Sequence, residues 1–467
     1  MKQPKFFQYL RIFLFAMVMI AGCVLGFLLT LRPSHSDVEN RDLATFPAWN
    51  AEAFIDGTYT ADIGLWYSDT FPFREELIGI NDRLRGLYGI KTQTAQAGDG
   101  GDNIDPDETF VWDTSTPPAD TDAPGDNTPA TTPAPETESE PQTNPPSPGA
   151  DHEVIKGYLV EGNHGYEMYY FNKQNSDRYA RAVVQTARDL NGKAQVYCMV
   201  TPMSYAYGVS ADTQKDLNAS DCHDSIQYIY RAIEAYCPQA GVKDPVITLD
   251  AYSALEAHKD EYIFFRTDHH WTALGAHYAS RVFLDRAGRD YPTLADGYTE
   301  YRFENFTGSL AGHTKHETPN LINHPDTILA YAPKSFNTVQ ITTREENTFD
   351  APIVNPDAAT AFSDSQRYRC FIDGDYPFTV AHNPQKNDGS SVLLIKESYG
   401  NAFLPMLVDS YEYVYAIDYR FYRTMSLADL VATYGIDTVL FLNNPVATSA
   451  DYNVNCLEAL LRVKSAS

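Results

Sequence analysis

Val392-Leu393-Leu394-Ile395-Lys396-Glu397-Ser398-Tyr399-Gly400-Asn401-Ala402-Phe403-Leu404 holds the pattern on which the fold is read. Val392 to Ile395 is a continuous apolar run with the length of a buried strand, and Asn401 to Val408 reads as a helix. A serine stands where one gives way to the other. The same alternation repeats on both sides of this stretch. Apolar runs at Gln195 to Val200, Val246 to Leu249, Tyr413 to Ile417 and Thr438 to Leu442 read as strands. Asp177 to Leu190, Ser225 to Tyr236, Thr272 to Ala287 and Ser426 to Tyr434 read as helices between them. Strands alternating with helices predict an α/β domain over residues 154–467, with a mostly parallel sheet covered on both faces. In such sheets the carboxyl ends of the strands are where a site forms.

The chain has 467 residues, enough for two or three domains, and its 43% hydrophobic content supports a large core. Its 35 Lys and Arg face 62 Asp and Glu, a formal net charge of −27 with no basic cluster, which argues against nucleic-acid binding. About half of that excess lies between Lys91 and Lys156, where 14 residues are acidic and none is Lys or Arg. This segment also holds Thr131-Thr132-Pro133-Ala134-Pro135 and Pro145-Pro146-Ser147-Pro148, so residues 95–153 are expected to form an extended, disordered linker. Six cysteines without a CxxC spacing argue against a metal knuckle or a disulfide framework. A single Cys222–Cys237 bridge stays open if the compartment is oxidising.

Ile12 to Leu31 is a run of 20 residues without a charge, preceded by Lys2, Lys5 and Arg11. It has the length of a membrane-spanning helix, and the flanking charges place the N-terminus of this 1–32 anchor in the cytoplasm. A cleaved signal peptide and lipidation at Ile20-Ala21-Gly22-Cys23 are the alternatives, and each of the three exports the rest of the chain. Residues 39–94 form a further segment, with an amphipathic helix expected over Glu75 to Tyr88.

Two places offer chemistry. In Thr267-Asp268-His269-His270-Trp271-Thr272, Asp268 and His270 fall on the same side of an extended stretch, which suits a carboxylate orienting a general base. The same alternation points His269 away from His270. Ser398, between a strand and a helix, is the matching nucleophile. Each also has a plainer reading: a serine before a helix as an N-cap, Asp-x-His as a local hydrogen bond. A metal hydrolase is a further alternative, with Asp268, His269, His270 and His277, or His313, His316 and Glu317, as ligand types, although their spacing matches no tight metal signature.

The Asp268-His269-His270-Trp271 tetrapeptide resembles the namesake motif of the DHHW protein family. Glu39-Asn40-Arg41-Asp42-Leu43, Asp69-Thr70-Phe71-Pro72-Phe73-Arg74, Phe306-Thr307-Gly308-Ser309-Leu310, Lys396-Glu397-Ser398-Tyr399-Gly400-Asn401 and Ile417-Asp418-Tyr419-Arg420-Phe421-Tyr422 extend the resemblance along the chain. The family is similar to the SGNH-like domains of the alginate O-acetylation proteins. What this implies is a flavodoxin-like, SGNH-hydrolase-like three-layer fold carrying a Ser398, His270 and Asp268 triad, with no cofactor. It implies an O-acetyltransferase or acetylesterase acting on an extracellular or cell-envelope polysaccharide, supplied with acetyl groups by a membrane-bound O-acyltransferase partner. Arg420, Asn401 and the backbone near Tyr399 are the candidate substrate or oxyanion contacts, and His269 is expected to be structural. The family more usually has Asp before the serine, and here Glu397 stands there. That departure keeps open a catalytically inactive polysaccharide-binding or scaffold module.

Overall fold

The central strands of the sheet are apolar on both sides because both sides are covered. The computed structural model describes residues 101–112, 152–155 and 157–463, with isolated residues between Met17 and Pro72. Two units divide the chain: residues 1–92 with 122–132, and residues 93–121 with 133–467. In the first, Arg32 Nη1 donates to Thr70 Oγ1 at 2.7 Å, and its guanidinium lies 3.9 Å from the Trp66 ring centre. The run from Ile12 to Leu31, Met17 apart, and the helix read at Glu75 to Tyr88 lie outside the described residues. Among the described residues no helix is long and apolar enough to cross a membrane.

The second unit opens with a three-stranded meander, β1 (His152–Ile155), β2 (Tyr158–Glu161) and β3 (His164–Glu167). Then come α1 (Lys173–Leu190), β4 (Gln195–Val200), α2 (Cys222–Gln239), β5 (Ile247–Thr248) and α3 (Ala273–Arg286). β6 (Tyr298–Phe306) and β7 (Asp326–Pro333) form an antiparallel pair, with the short helix α4 (Ser309–Thr314) between them in sequence. β8 (Thr338–Thr342), β9 (Thr348–Ala351), β10 (Phe378–His382) and β11 (Ser391–Lys396) follow. The chain continues with α5 (Tyr399–Phe403), β12 (Tyr413–Asp418), α6 (Leu427–Tyr434), β13 (Thr438–Asn443) and α7 (Asp451–Leu461). Side chains start several helices: Asp221 accepts from the Asp224 N–H, Thr272 from Gly275 and Ser426 from Asp429. Gly435, at φ 63°, ends α6 in the left-handed region where only glycine is unstrained.

The main sheet runs β9-β8-β10-β12-β11-β13-β4-β5. The five strands read from the sequence are β12, β11, β13, β4 and β5, and these are parallel. The sheet as a whole is mixed, not mostly parallel, because β10, β8 and β9 extend it antiparallel beyond β12. The physical reason is visible in their side chains. In β8, Val339 and Ile341 are buried while Thr338 and Gln340 are exposed, the half-apolar alternation of a strand covered on one face. In β11, by contrast, Leu393 and Ile395 join a core with α1 and α2, while Val392 and Leu394 join a second core with Trp271 and Phe283.

Cys222 and Cys237 are free, and both lie on α2, fifteen positions apart and so about 22 Å along the helix axis. The expected linker is not linker throughout. Residues 101–112 lie against α1 and α2: the Asp102 N–H donates to the Phe171 carbonyl at 2.8 Å, and the Trp112 N–H to Gln239 Oε1 at 2.9 Å. Phe110 is buried, its ring centre 5.2 Å from that of Tyr228 and 5.9 Å from that of Tyr236. Two aromatics in an acidic, proline-bearing segment supply the apolar area that holds it. Residues 95–100 and 113–151 of that segment are outside the described residues. Phe110→Ala should therefore destabilise the protein by about 3 kcal/mol, read as a lower urea midpoint; an unchanged midpoint would mean that residues 101–112 do not pack.

Candidate active site

Strand β11 sits at the switch point of the sheet, with the next strand, β12, on one side and the one after it, β13, on the other. The crevice at its carboxyl end is where ligands bind in such sheets, and Ser398 lies there, half-buried. The residues before it run straight up the strand. After it, the Gly400 N–H donates to the Glu397 carbonyl and the Asn401 N–H to the Ser398 carbonyl, which turns the chain into α5. The serine does not cap that helix; its side chain makes no capping bond. Glu397 does so instead, Oε2 accepting from the Tyr399 N–H at 2.9 Å. The serine hydroxyl lies 3.3 Å from the same Glu397 Oε2 and closer to a second partner.

That partner is His270, whose Nε2 lies 2.7 Å from Ser398 Oγ. Asp268 Oδ1 is 2.5 Å from His270 Nδ1 and also accepts the His270 backbone N–H at 3.0 Å. The carboxylate accepts, so Nδ1 carries the proton and Nε2 is the acceptor facing the serine. His270 is 4% exposed and stacks on Tyr368, ring centres 4.1 Å apart, and the Tyr368 hydroxyl donates to the Ser398 carbonyl. Burial opposes a charge on Asp268, yet His270, His269 and the hydrogen bonds from His270 and the Ser309 N–H hold its carboxyl well below the usual range. An ionised carboxylate behind an imidazole with a serine in front can accept the serine's proton and stabilise the imidazolium that results.

The loop is held from beneath by Asp326, fully buried, which accepts from Tyr262, from Arg266 Nε and N–H, and from the Thr267 N–H and hydroxyl. It is held from the side by the turn before α4. The Ser309 N–H donates to Asp268 Oδ2 at 2.8 Å, and Ser309 Oγ meets His269 Nδ1 at 2.7 Å. A Cβ on Gly308 would lie 2.2 Å from Asp268 Cβ, so only glycine lets that turn approach.

The family described as DHHW protein matches residues 39–113 and 136–417. The chain belongs to the DHHW protein family. It is similar to a DHHW family protein from Eubacterium siraeum DSM 15702, with 27% identity and a TM-score of 0.59, covering 68% of this chain and 99% of that one. Bacillus cereus PatB1, solved with a sulfonyl adduct, shares the fold at 17% identity and a TM-score of 0.51, over 66% of this chain and 100% of that one. The O-acetyltransferase domain of Pseudomonas putida AlgJ aligns more weakly, at 15% identity and a TM-score of 0.35, over 65% of this chain and 96% of that one. No curated protein matches the chain.

Each residue of the family's namesake tetrapeptide has a place in the site. His270 faces the serine and Asp268 lies behind it. The His269 carbonyl accepts from the Tyr399 hydroxyl, and the Trp271 indole donates to the Tyr399 carbonyl at 3.0 Å. His269 does not point away from His270, since the rings are 3.9 Å apart. The segment bends at Asp268 instead of extending, so two-residue alternation does not apply. Burial and the adjacent His270 lower the pKa of His269.

Arg420 and Asn401 come together in a cluster of charges at the ends of β11 and β12. Arg420 donates to both oxygens of Asp418 at 2.9 and 2.6 Å and to Asp375 at 2.9 Å; its Nη1 has no partner among the described residues. Asn401 is buried, with Oδ1 accepting from Lys396 Nζ and Nδ2 donating to Asp375, so both ends of its amide are spent. Tyr399 is spent too: its N–H on Glu397, its hydroxyl on His269. Sequence reasoning missed Asp326, Tyr368, Asp375 and Glu397's capping role, because a lone acid or tyrosine in a loop carries no local signal.

Ligand atoms of Asp268, His269 and His270 lie within 4.8 Å of one another, a spacing a metal ion would accept. Both nitrogens of His270 and Nδ1 of His269 already meet protein atoms, so the donor set does not fit an ion without breaking the serine contact. His277 is not among that group. His313 stacks on Tyr158, ring centres 4.8 Å apart.

Two outcomes follow for this site. Gly308→Ala should displace Asp268 from His270 while the far-UV spectrum is kept, read by NMR as loss of the downfield His270 Nδ1–H resonance; an unchanged resonance would show that the close approach does not matter. Burial raises the pKa of Glu397, against the Tyr399 N–H and Arg420, which lower it. Its stabilising contribution is therefore full below the ordinary glutamate range and is lost as pH rises through its folded value. Glu397→Gln should match the unmodified protein in stability near pH 4 and exceed it at pH 8; parallel stability curves would refute this.

Proposed function

We propose that this chain is an exported serine O-acetyltransferase or acetylesterase of polysaccharides. The observation that carries this reading is the continuous Asp268–His270–Ser398 chain of hydrogen bonds, ending on a half-exposed hydroxyl at the switch point of the sheet. We read the two-sided cover of that sheet as the flavodoxin-like, SGNH-hydrolase-like arrangement in which such hydroxyls act.

In the first step His270 Nε2 takes the proton of Ser398 as Oγ attacks the carbonyl carbon of an acetyl ester. The bond to the leaving oxygen then breaks, and His270 returns the proton to that oxygen. In the second step a sugar hydroxyl, or water, gives its proton to His270 and attacks the acetyl-serine, which restores Oγ–H. Asp268 steadies the imidazolium in both steps. The amides after Ser398 are engaged within the turn, so Arg420 Nη1 is the donor we assign to the developing oxyanion. Its backing by Asp375 and Asp418 holds the guanidinium in place.

Export places the site away from cytoplasmic acetyl-CoA, so the acetyl group has to arrive through the membrane. We assign its delivery to a membrane-bound O-acyltransferase and the tether to the apolar run before residue 33. The inactive-module alternative rested on Glu397, and that side chain caps the turn without displacing Ser398 Oγ from His270.

The full-length protein incubated with 4-nitrophenyl acetate should gain one acetyl group by intact mass on Ser398. Ser398→Ala and His270→Ala should each lower turnover by at least about 10³-fold, and a chelator should leave it unchanged. Turnover that survives Ser398→Ala would overturn the assignment.

A further inference from the structure

Two side chains near the catalytic loop are not used by the proposed mechanism. Glu167 ends β3, which is tied to the catalytic loop by the Gly165 N–H donating to the Arg266 carbonyl at 2.8 Å. Its side chain is half-buried and has no hydrogen bond or ion pair among the described residues. His269, Asp268, Glu397 and Tyr399 are the groups that share its electrostatic surroundings. His269 is half-buried as well. Ser309 Oγ holds its Nδ1 and so fixes the ring, while Nε2 has no partner among the described residues.

A half-buried carboxylate and an imidazole nitrogen, neither with a protein partner among the described residues, are open to meet a ligand. Sugar hydroxyls suit both, because each can donate to a carboxylate oxygen and accept from or donate to an imidazole nitrogen. The charges nearby decide what kind of sugar. Lys396 and Arg420 are matched by Asp375 and Asp418, and Arg266 by Asp326. Among the described residues these cations are matched in charge, with only Arg420 Nη1, assigned to the oxyanion, left open, and Glu167 would oppose an acidic group, on a chain whose formal charge is −27.

We propose that Glu167 and His269 form the acceptor subsite beside Ser398, and that the acceptor is a glycan bearing hydroxyls but no acidic groups. This rests on the reading of Ser398 as the acetyl carrier. Glu167 receives a hydroxyl of the sugar, His269 Nε2 a second, and together they bring the acceptor hydroxyl to the acetyl-serine. Uronate or phosphate polymers are disfavoured by like charge.

Binding can be measured without turnover, by calorimetry on the full-length Ser398→Ala protein. The probes are chitohexaose, cellohexaose and maltohexaose as neutral oligomers and hexagalacturonate as the acidic one. At least one neutral oligomer should bind, hexagalacturonate should bind at least about tenfold more weakly, and adding Glu167→Gln should weaken the neutral oligomer by about tenfold. Hexagalacturonate binding as tightly as the neutral oligomers, no binding by any oligomer, or affinities unmoved by Glu167→Gln would each overturn the proposal. The carrier reading is judged separately, by whether the unmodified protein acquires acetyl mass on Ser398. If it does and the sugar measurements fail, only the acceptor subsite falls.

Discussion

The Trp271 indole N–H donates to the Tyr399 carbonyl, with both side chains fully buried and 128 positions apart in sequence. Everything reactive in this molecule is arranged around that joint. One residue before Trp271 is the imidazole, and one residue before Tyr399 is the hydroxyl that it meets. The Tyr399 hydroxyl returns the connection by donating to the His269 carbonyl. Two crossing hydrogen bonds between the same pair of segments leave the imidazole and the serine little freedom to separate. A buried polar group that loses its partner is costly, so the joint resists opening from either side.

The second organising principle is charge balance at the ends of β11 and β12. Lys396 and Arg420, at the ends of adjacent parallel strands, share Asp375 and Asp418, and Asn401 fills the remaining position. Arg420 and Lys396 outweigh the burial of Asp375 and hold its carboxyl below its ordinary range. A group of buried charges matched in this way fixes the strand ends from which the serine turn springs. Glu397 stands apart from it, facing Tyr399, Ser398 and Asn444. Its extra methylene is accommodated because the carboxylate reaches forward over the turn to cap the helix, not sideways into the packing.

Much of this was legible in the chain. The five parallel strands were visible because strands covered on both faces are apolar at every position, and that signal needs no partner to be recognised. Asp268, His270 and Ser398 were recognisable as a chemical set from their types and from their places next to strand and helix boundaries. The antiparallel edge was not, because β8 and β10 bury alternate residues only, and two or three apolar side chains do not stand out from a loop. The direction of His269 was misjudged for a similar reason: alternation holds for extended backbone, and the Asp268 carboxylate accepting from the His270 N–H bends the chain there.

The sequence by itself determined the α/β class, the strands of the parallel core and the residue types able to carry acyl chemistry, since all of these follow from short-range patterns of polarity. Only the tertiary structure decided which of those residues meet. Asp268 and Ser398 are 130 positions apart, and their arrangement depends on a glycine 40 residues beyond Asp268, a buried aspartate after that, and a tryptophan whose partner is a backbone carbonyl. These contacts are made across space by groups with no local signature. The same holds for Phe110, whose segment has the composition of a linker and whose ring finds Tyr228 and Tyr236 only once α2 is in place.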